Sequence, residues 1–114
     1  MASNTKLYEI LVPCVRNDGR PVRTRCHREW DKRVRRITGG LTVMAPGRGQ
    51  WVFGGTLFSE RMIPVRLHCT PTQIEAIADL TAAFYEQLAV MFYVISNEVR
   101  IKSYEQSASP TGNL

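Results

Sequence analysis

Several features are missing or scarce in this 114-residue sequence, and each absence excludes a class of protein. No stretch approaches the roughly 18 consecutive apolar residues that a membrane span needs. The opening MASNTKLYE carries no apolar run of signal-peptide length. Both absences predict a cytoplasmic protein without membrane association, in the host cytoplasm if a phage encodes it. Cysteine is sparse and odd in number: Cys14, Cys26 and Cys69. That count gives no disulfide framework and predicts reduced, mostly buried thiols. Histidine is sparser, with only His27 and His68. Each sits next to a cysteine, but helix neighbours point about 100° apart and strand neighbours point oppositely. No Cys-x-x-Cys or His-x-x-x-His spacing exists, so no metal site is expected. Gly47-Arg48-Gly49 lacks the Gly-Lys-Ser/Thr of a phosphate-binding loop, and no other cofactor motif stands in the chain. A Cys–His couple such as His68 with Cys14 is too unspecific to nominate a catalytic residue. The sequence therefore reads as a binder rather than an enzyme, although a small ferredoxin-like enzyme stays among the alternatives.

What is present suits one core. Hydrophobic residues make up 44% of the chain. That supports a single domain over residues 1–102, with a polar, disordered tail over 103–114. Fifteen Lys and Arg against ten Asp and Glu leave a net charge of +5, which favours an anionic partner.

Periodicity orders the elements. Leu7 to Val15 alternates as a strand, with Tyr8, Ile10 and Val12 on one face. Asn17-Asp18-Gly19 is a turn. Thr24 is placed to cap a helix to about Ile37, whose buried stripe is Cys26, Trp30, Val34 and Ile37. Gly39-Gly40 ends it. Leu41 to Ala45 reads as a strand broken by Pro46-Gly47-Arg48-Gly49. Trp51-Val52-Phe53 and Thr56-Leu57-Phe58 flank Gly54-Gly55, a hairpin signal. Met62 to Cys69 resumes a strand. Thr70, Pro71 and Gln73 open a second helix through a capping box. Its inner stripe is Ile74, Ile77, Ala78, Thr81, Phe84 and Leu88. Val90 to Ile95 reads as a central strand, and Glu98 to Ile101 as a short edge strand. The order strand–helix–strand–strand–helix–strand predicts an α+β, ferredoxin-like βαββαβ antiparallel sheet. Two helices cover one face, and a β-hairpin is inserted.

The uncovered face carries the functional expectation. Leu7, Glu9, Leu11, Arg66, His68, Met91, Tyr93 and Ile95 alternate onto it. That set is too apolar to stay wet, so self-association through the sheet is expected. A glycine-flanked Arg48 can form an anion nest from backbone N–H groups. Arg48 and Trp51 are expected on one strand face, where a guanidinium beside an indole suits a phosphate joined to a flat base. Arg48, Trp51, Arg66, His68 and Tyr93 are thus the candidate ligand-binding residues, and a small anionic, nucleotide-like molecule is the candidate ligand. The stretch from Arg16 to Arg36 holds eight arginines and Lys32. It offers a solvated face or, through Arg23, Arg25, Arg33 and Arg36, a footing for nucleic acid.

Gly39-Gly40-Leu41-Thr42-Val43, Gly49-Gln50-Trp51, Glu60-Arg61-Met62-Ile63-Pro64-Val65 and Gln87-Leu88-Ala89-Val90-Met91 together form a pattern. It resembles small, mostly uncharacterised phage and bacterial proteins of ferredoxin-like plan, over about residues 7 to 101. The resemblance implies action by binding: a sponge that sequesters a nucleotide signal to counter host defence. Its alternative is an inhibitor, of anti-CRISPR type, that binds a host defence protein or nucleic acid.

Overall fold

The computed structural model describes residues 4–105. Seven elements follow one another: β1 (Lys6–Pro13), α1 (Thr24–Thr38), β2 (Thr42–Val43), β3 (Gly47–Phe53), β4 (Thr56–Cys69), α2 (Pro71–Tyr85) and β5 (Phe92–Ser96). The sheet is antiparallel throughout, in the order β2-β4-β1-β5, with β3 also pairing β4. This is the α+β ferredoxin-like architecture that the periodicity predicts.

The alternation in β1 and β4 explains the layering. Tyr8, Ile10 and Val12 lie opposite Leu67, Val65 and Ile63, and this set faces the helices. Trp30 and Val34 from α1 and Ile74, Ile77, Ala78 and Tyr85 from α2 close over it. The polar atoms in this layer are paired, as buried polar groups must be. Trp30 Nε1 donates to Thr81 Oγ1 at 3.1 Å, and Thr81 Oγ1 donates to the Ile77 carbonyl at 2.6 Å. The Tyr85 hydroxyl meets His27 Nδ1 at 2.7 Å. Burial holds the His27 pKa below its ordinary value. Gln73 Nε2 reaches the Ile37 carbonyl at 3.1 Å and ties the start of α2 to the end of α1.

Helix α2 begins as its sequence demands, with Thr70 and Gln73 exchanging both hydrogen bonds of the capping box. Gly39 closes α1 at φ +83°. Gly54 and Gly55, both at positive φ, turn the hairpin. That two-residue turn matches the twist of the strands it joins.

Five details differ from expectation. Arg23, not Thr24, is the N-cap of α1, and no side chain caps it. The strand expected over Leu41 to Ala45 shrinks to Thr42–Val43, because Pro46 interrupts the ladder. The chain is extended again from Gly47 and pairs with the same β4. Leu88 is fully exposed, since Glu86 adopts a left-handed conformation (φ 56°) and ends α2; Tyr85 fills the core position instead. The run after Val90 forms an edge strand rather than a central one, pairing only with β1 among the described residues. No strand forms over Glu98 to Ile101; Ser96 Oγ instead bonds the Glu98 backbone in a local turn. Of the tail expected over 103–114, residues 103–105 are exposed without regular structure, and the rest lies outside the described residues.

Candidate functional site on the open sheet face

Antiparallel register places directly opposed residues on one face. Thr42 lies opposite Arg66, Arg66 opposite Glu9, and Glu9 opposite Tyr93. One row of side chains therefore crosses β2, β4, β1 and β5 on the face away from the helices. Leu7 and His68 form the next row.

Glu9 is the centre of this arrangement. It is only 8% exposed although it stands on the uncovered face. Arg66 Nε donates to its Oε1 at 3.1 Å, and the Tyr93 hydroxyl donates to its Oε2. Both carboxylate oxygens are thus engaged, as a buried charge requires. Hydrogen bonding to Glu9 is the main reason the Tyr93 pKa rises above its ordinary 10.0, with burial second. A raised folded-state pKa contributes stability that is present below pH 10 and fades as pH climbs through the raised value. Glu9→Gln is expected to move the Tyr93 titration back toward 10, read from its ring resonances by NMR; an unchanged titration would mean that Glu9 does not hold the phenol.

Beside the row lies a cavity of about 280 Å3, lined by Leu7, Arg66, His68, Ile101 and the α1–β2 loop from Thr38 to Thr42. The loop is fixed locally: Thr38 Oγ1 donates to the Gly40 carbonyl at 2.6 Å, and Gly39 N to the Arg35 carbonyl at 2.8 Å. His68 Nε2 meets Thr5 Oγ1 at 2.7 Å, which sets the ring plane. With its Nε–H on Glu9, the Arg66 guanidinium is held at the cavity wall. Among the described residues, no cluster of three or more His, Cys, Asp or Glu forms that would hold a metal ion.

Of the five residues nominated from sequence, Arg66 and His68 line this cavity, and Tyr93 stands one strand beyond Glu9. Arg48 and Trp51 lie elsewhere in the protomer. Arg48 is opposite Arg61 and Trp51 opposite Phe58. These partners lie five and eight residues along β4 from Arg66, or roughly 17 and 27 Å at strand rise. Nor do the two share a face. They are three residues apart in one strand, so the alternation points them oppositely. The expected backbone anion nest is absent as well, because Gly47 and Gly49 are extended strand residues paired with Met62 and Glu60. Trp51 instead stacks on Phe58, with ring centroids 6.1 Å apart and planes 14° from parallel.

The four arginines nominated for nucleic acid separate into two places. Arg23 and Arg25 line a cavity at the start of α1. Arg33 lies farther along the helix, with its guanidinium 5.3 Å from the Phe84 ring centre and 3.8 Å from Glu29. Arg36 is in the last turn. Alternation alone places Glu9 on the open face, but its link between Arg66 and Tyr93 does not show in the sequence. The local signal is a lone carboxylate between Tyr8 and Ile10, in a strand otherwise apolar from Leu7 to Val12.

No family model matches the sequence, and no curated protein matches it. Solved structures do share the fold. CutA from the phytopathogen Xylella fastidiosa superimposes with a TM-score of 0.64 at 10% identity, covering 87% of this chain and 88% of its own. The periplasmic divalent cation tolerance protein CutA from Archaeoglobus fulgidus gives 0.63 at 11%, covering 86% and 88%. A phage SAM lyase in complex with S-methyl-5'-thioadenosine gives 0.63 at 12%, covering 85% and 84%. At these identities the likeness establishes the fold.

Proposed function

We propose that this chain captures a nucleoside-type small ligand on its open sheet face, without cleaving it. The carrying observation is the 280 Å3 cavity walled by Arg66 and His68, next to a carboxylate that is already neutralised. A bound anionic group would meet the Arg66 guanidinium, and His68 would offer a ring nitrogen. Glu9 is fully engaged by Arg66 and Tyr93, so it is poorly placed to act as a general base. That favours capture over catalysis. The shared fold of a phage lyase holding S-methyl-5'-thioadenosine supports a nucleoside as the ligand class. A chain of this kind would serve a phage as a sponge for a host defence signal. A second copy of the chain supplies the stacking contact of Trp51, whose hairpin is too far from the cavity within one protomer; Arg48, on the opposite face of that hairpin, does not join the same site.

The test is a thermal-shift screen with S-adenosylmethionine, S-methyl-5'-thioadenosine, cyclic nucleotides and ADP-ribose-type nucleotides. A ligand at a hundred times its Kd stabilises the fold by about 2.7 kcal/mol, and His68→Ala should remove most of the gain. Mass spectrometry of the ligand released by heating then decides the chemistry. Intact ligand supports capture, while S-methyl-5'-thioadenosine recovered from S-adenosylmethionine replaces capture by a lyase reaction. No shift with any of these ligands would end the proposal.

A further inference from the structure

A second cavity, of about 380 Å3, lies at the start of α1, lined by Arg16, Arg20, Pro21, Arg23, Arg25 and Cys26. Its frame is rigid. Val22 N bonds the Cys14 carbonyl at 2.9 Å, Arg16 N bonds the Arg20 carbonyl at 2.7 Å, and Gly19 N bonds the Arg16 carbonyl at 2.9 Å. Val15 and Pro21 form a bridge, and Val22 is buried against the core. Gly19, at φ +88°, closes the turn.

The charges in this frame oppose each other. The N-terminus of a helix carries a partial positive charge, and acidic residues normally stand there. Here the first turn of α1 has no acidic residue, the N-cap is Arg23, and no side chain caps the backbone. Four guanidinium groups gather where the helix already repels cations. Asp18 pairs with Arg20, through Nε at 2.6 Å. Among the described residues, no ion pair engages Arg16, Arg23 or Arg25; Arg16 makes only a long 3.7 Å contact to the Cys26 sulfur. Brought to one cavity by the bonded loop, these like charges lower their energy by sharing an anion.

We infer that this cavity is a phosphoryl-binding site, distinct from the open face, in which Arg16, Arg23 and Arg25 hold a phosphate or diphosphate group at the start of α1. Guanidinium forks match phosphate oxygens in pairs, and the uncapped helix end adds backbone donors. The volume admits a diphosphate with room for an attached nucleoside. Arg33 and Arg36 take no part, because they lie farther along α1.

The test uses the full chain and inorganic pyrophosphate, followed by isothermal titration and by NMR of the arginine Nε–H groups at fixed ionic strength. Saturable binding with one equivalent is expected. Arg23→Gln with Arg25→Gln should weaken it by about tenfold or more, while Arg33→Gln and His68→Ala leave it unchanged. Circular dichroism confirms that each variant is folded. A nucleoside diphosphate and a single-stranded oligonucleotide then separate the sources of the phosphate. A free nucleotide binds one to one with a shallow salt dependence, and a nucleic-acid backbone binds more tightly as its length grows, with a steep one. Absence of saturable pyrophosphate binding, or equal loss in Arg33→Gln, would overturn the inference.

Discussion

Trp30→Ala should lower stability by about 3–5 kcal/mol, the usual loss for a buried aromatic. For a domain of this size that corresponds to a fall in Tm of roughly 10–25 °C. Trp30 is 1% exposed, between α1, Thr81 and the Tyr85 ring, whose centroid lies 6.4 Å away. Truncation leaves a cavity that two helices on a sheet cannot easily collapse, and it breaks the indole bond to the Thr81 hydroxyl, which keeps only its own bond to the Ile77 carbonyl. Thr81→Val isolates the second effect. It strands the indole N–H and should cost about 1–3 kcal/mol. The other tryptophan gives the contrast. Trp51 is 45% exposed on the hairpin, so its loss within one protomer removes little beyond the stacking on Phe58. Thermal melts at several protein concentrations separate the two. The Trp30 effect should be independent of concentration, and the Trp51 effect should grow with concentration if a second copy covers the hairpin. A Trp30→Ala protein that melts within a few degrees of wild type would contradict the packing described.

The two tryptophans also show what sequence could reveal. Trp30 was legible because Cys26, Trp30, Val34 and Ile37 repeat at helical spacing, and a stripe of that period has to be buried. The same holds for Tyr8, Ile10 and Val12 at strand spacing and for the Thr70–Gln73 box. Local signals were enough wherever an element's neighbours agreed with its own preference. They failed where a distant contact decided. Nothing near Glu86 announces a left-handed residue, so the helical stripe reads on to Leu88. Pro46 reads as a break, yet β4 is long enough to pair with the chain on both sides of it. Arg66, His68 and Tyr93 were legible as members of one face from alternation alone. That Glu9 would sit between Arg66 and Tyr93 depends on the register of three strands, which no single stretch contains.

The same long β4 leads to the last expectation, that the protein in solution is a multiple of its 12.9 kDa protomer. Beyond Met62, β4 leaves β1 and pairs only with β3, so the hairpin is a two-stranded ribbon. Ribbons of two strands are marginal in water unless something packs on them. This one is apolar on both sides. Trp51, Phe53 and Phe58 occupy one face, Val52 and Leu57 the other, and all five are exposed. No part of the described chain covers either face. Arg48 and Arg61 oppose each other in the same ribbon, a like-charge pair that costs stability unless a partner compensates it. A second copy, with its own half-exposed Tyr93 and exposed Met91 on the open sheet face, offers apolar surface of the matching kind. Phe53→Ser with Leu57→Ser removes one large side chain from each face and leaves the Gly54-Gly55 turn intact. Each such side chain contributes about 1.5–3 kcal/mol when buried, so association should weaken more than a hundredfold. Light scattering at tens of micromolar should then give an oligomeric mass for the wild type and 12.9 kDa for the double variant. The variant's helical circular dichroism should be unchanged, because α1 and α2 pack on the other end of β4. A wild-type protein that scatters as a monomer would remove the second copy, and with it the contribution of Trp51 to the ligand site.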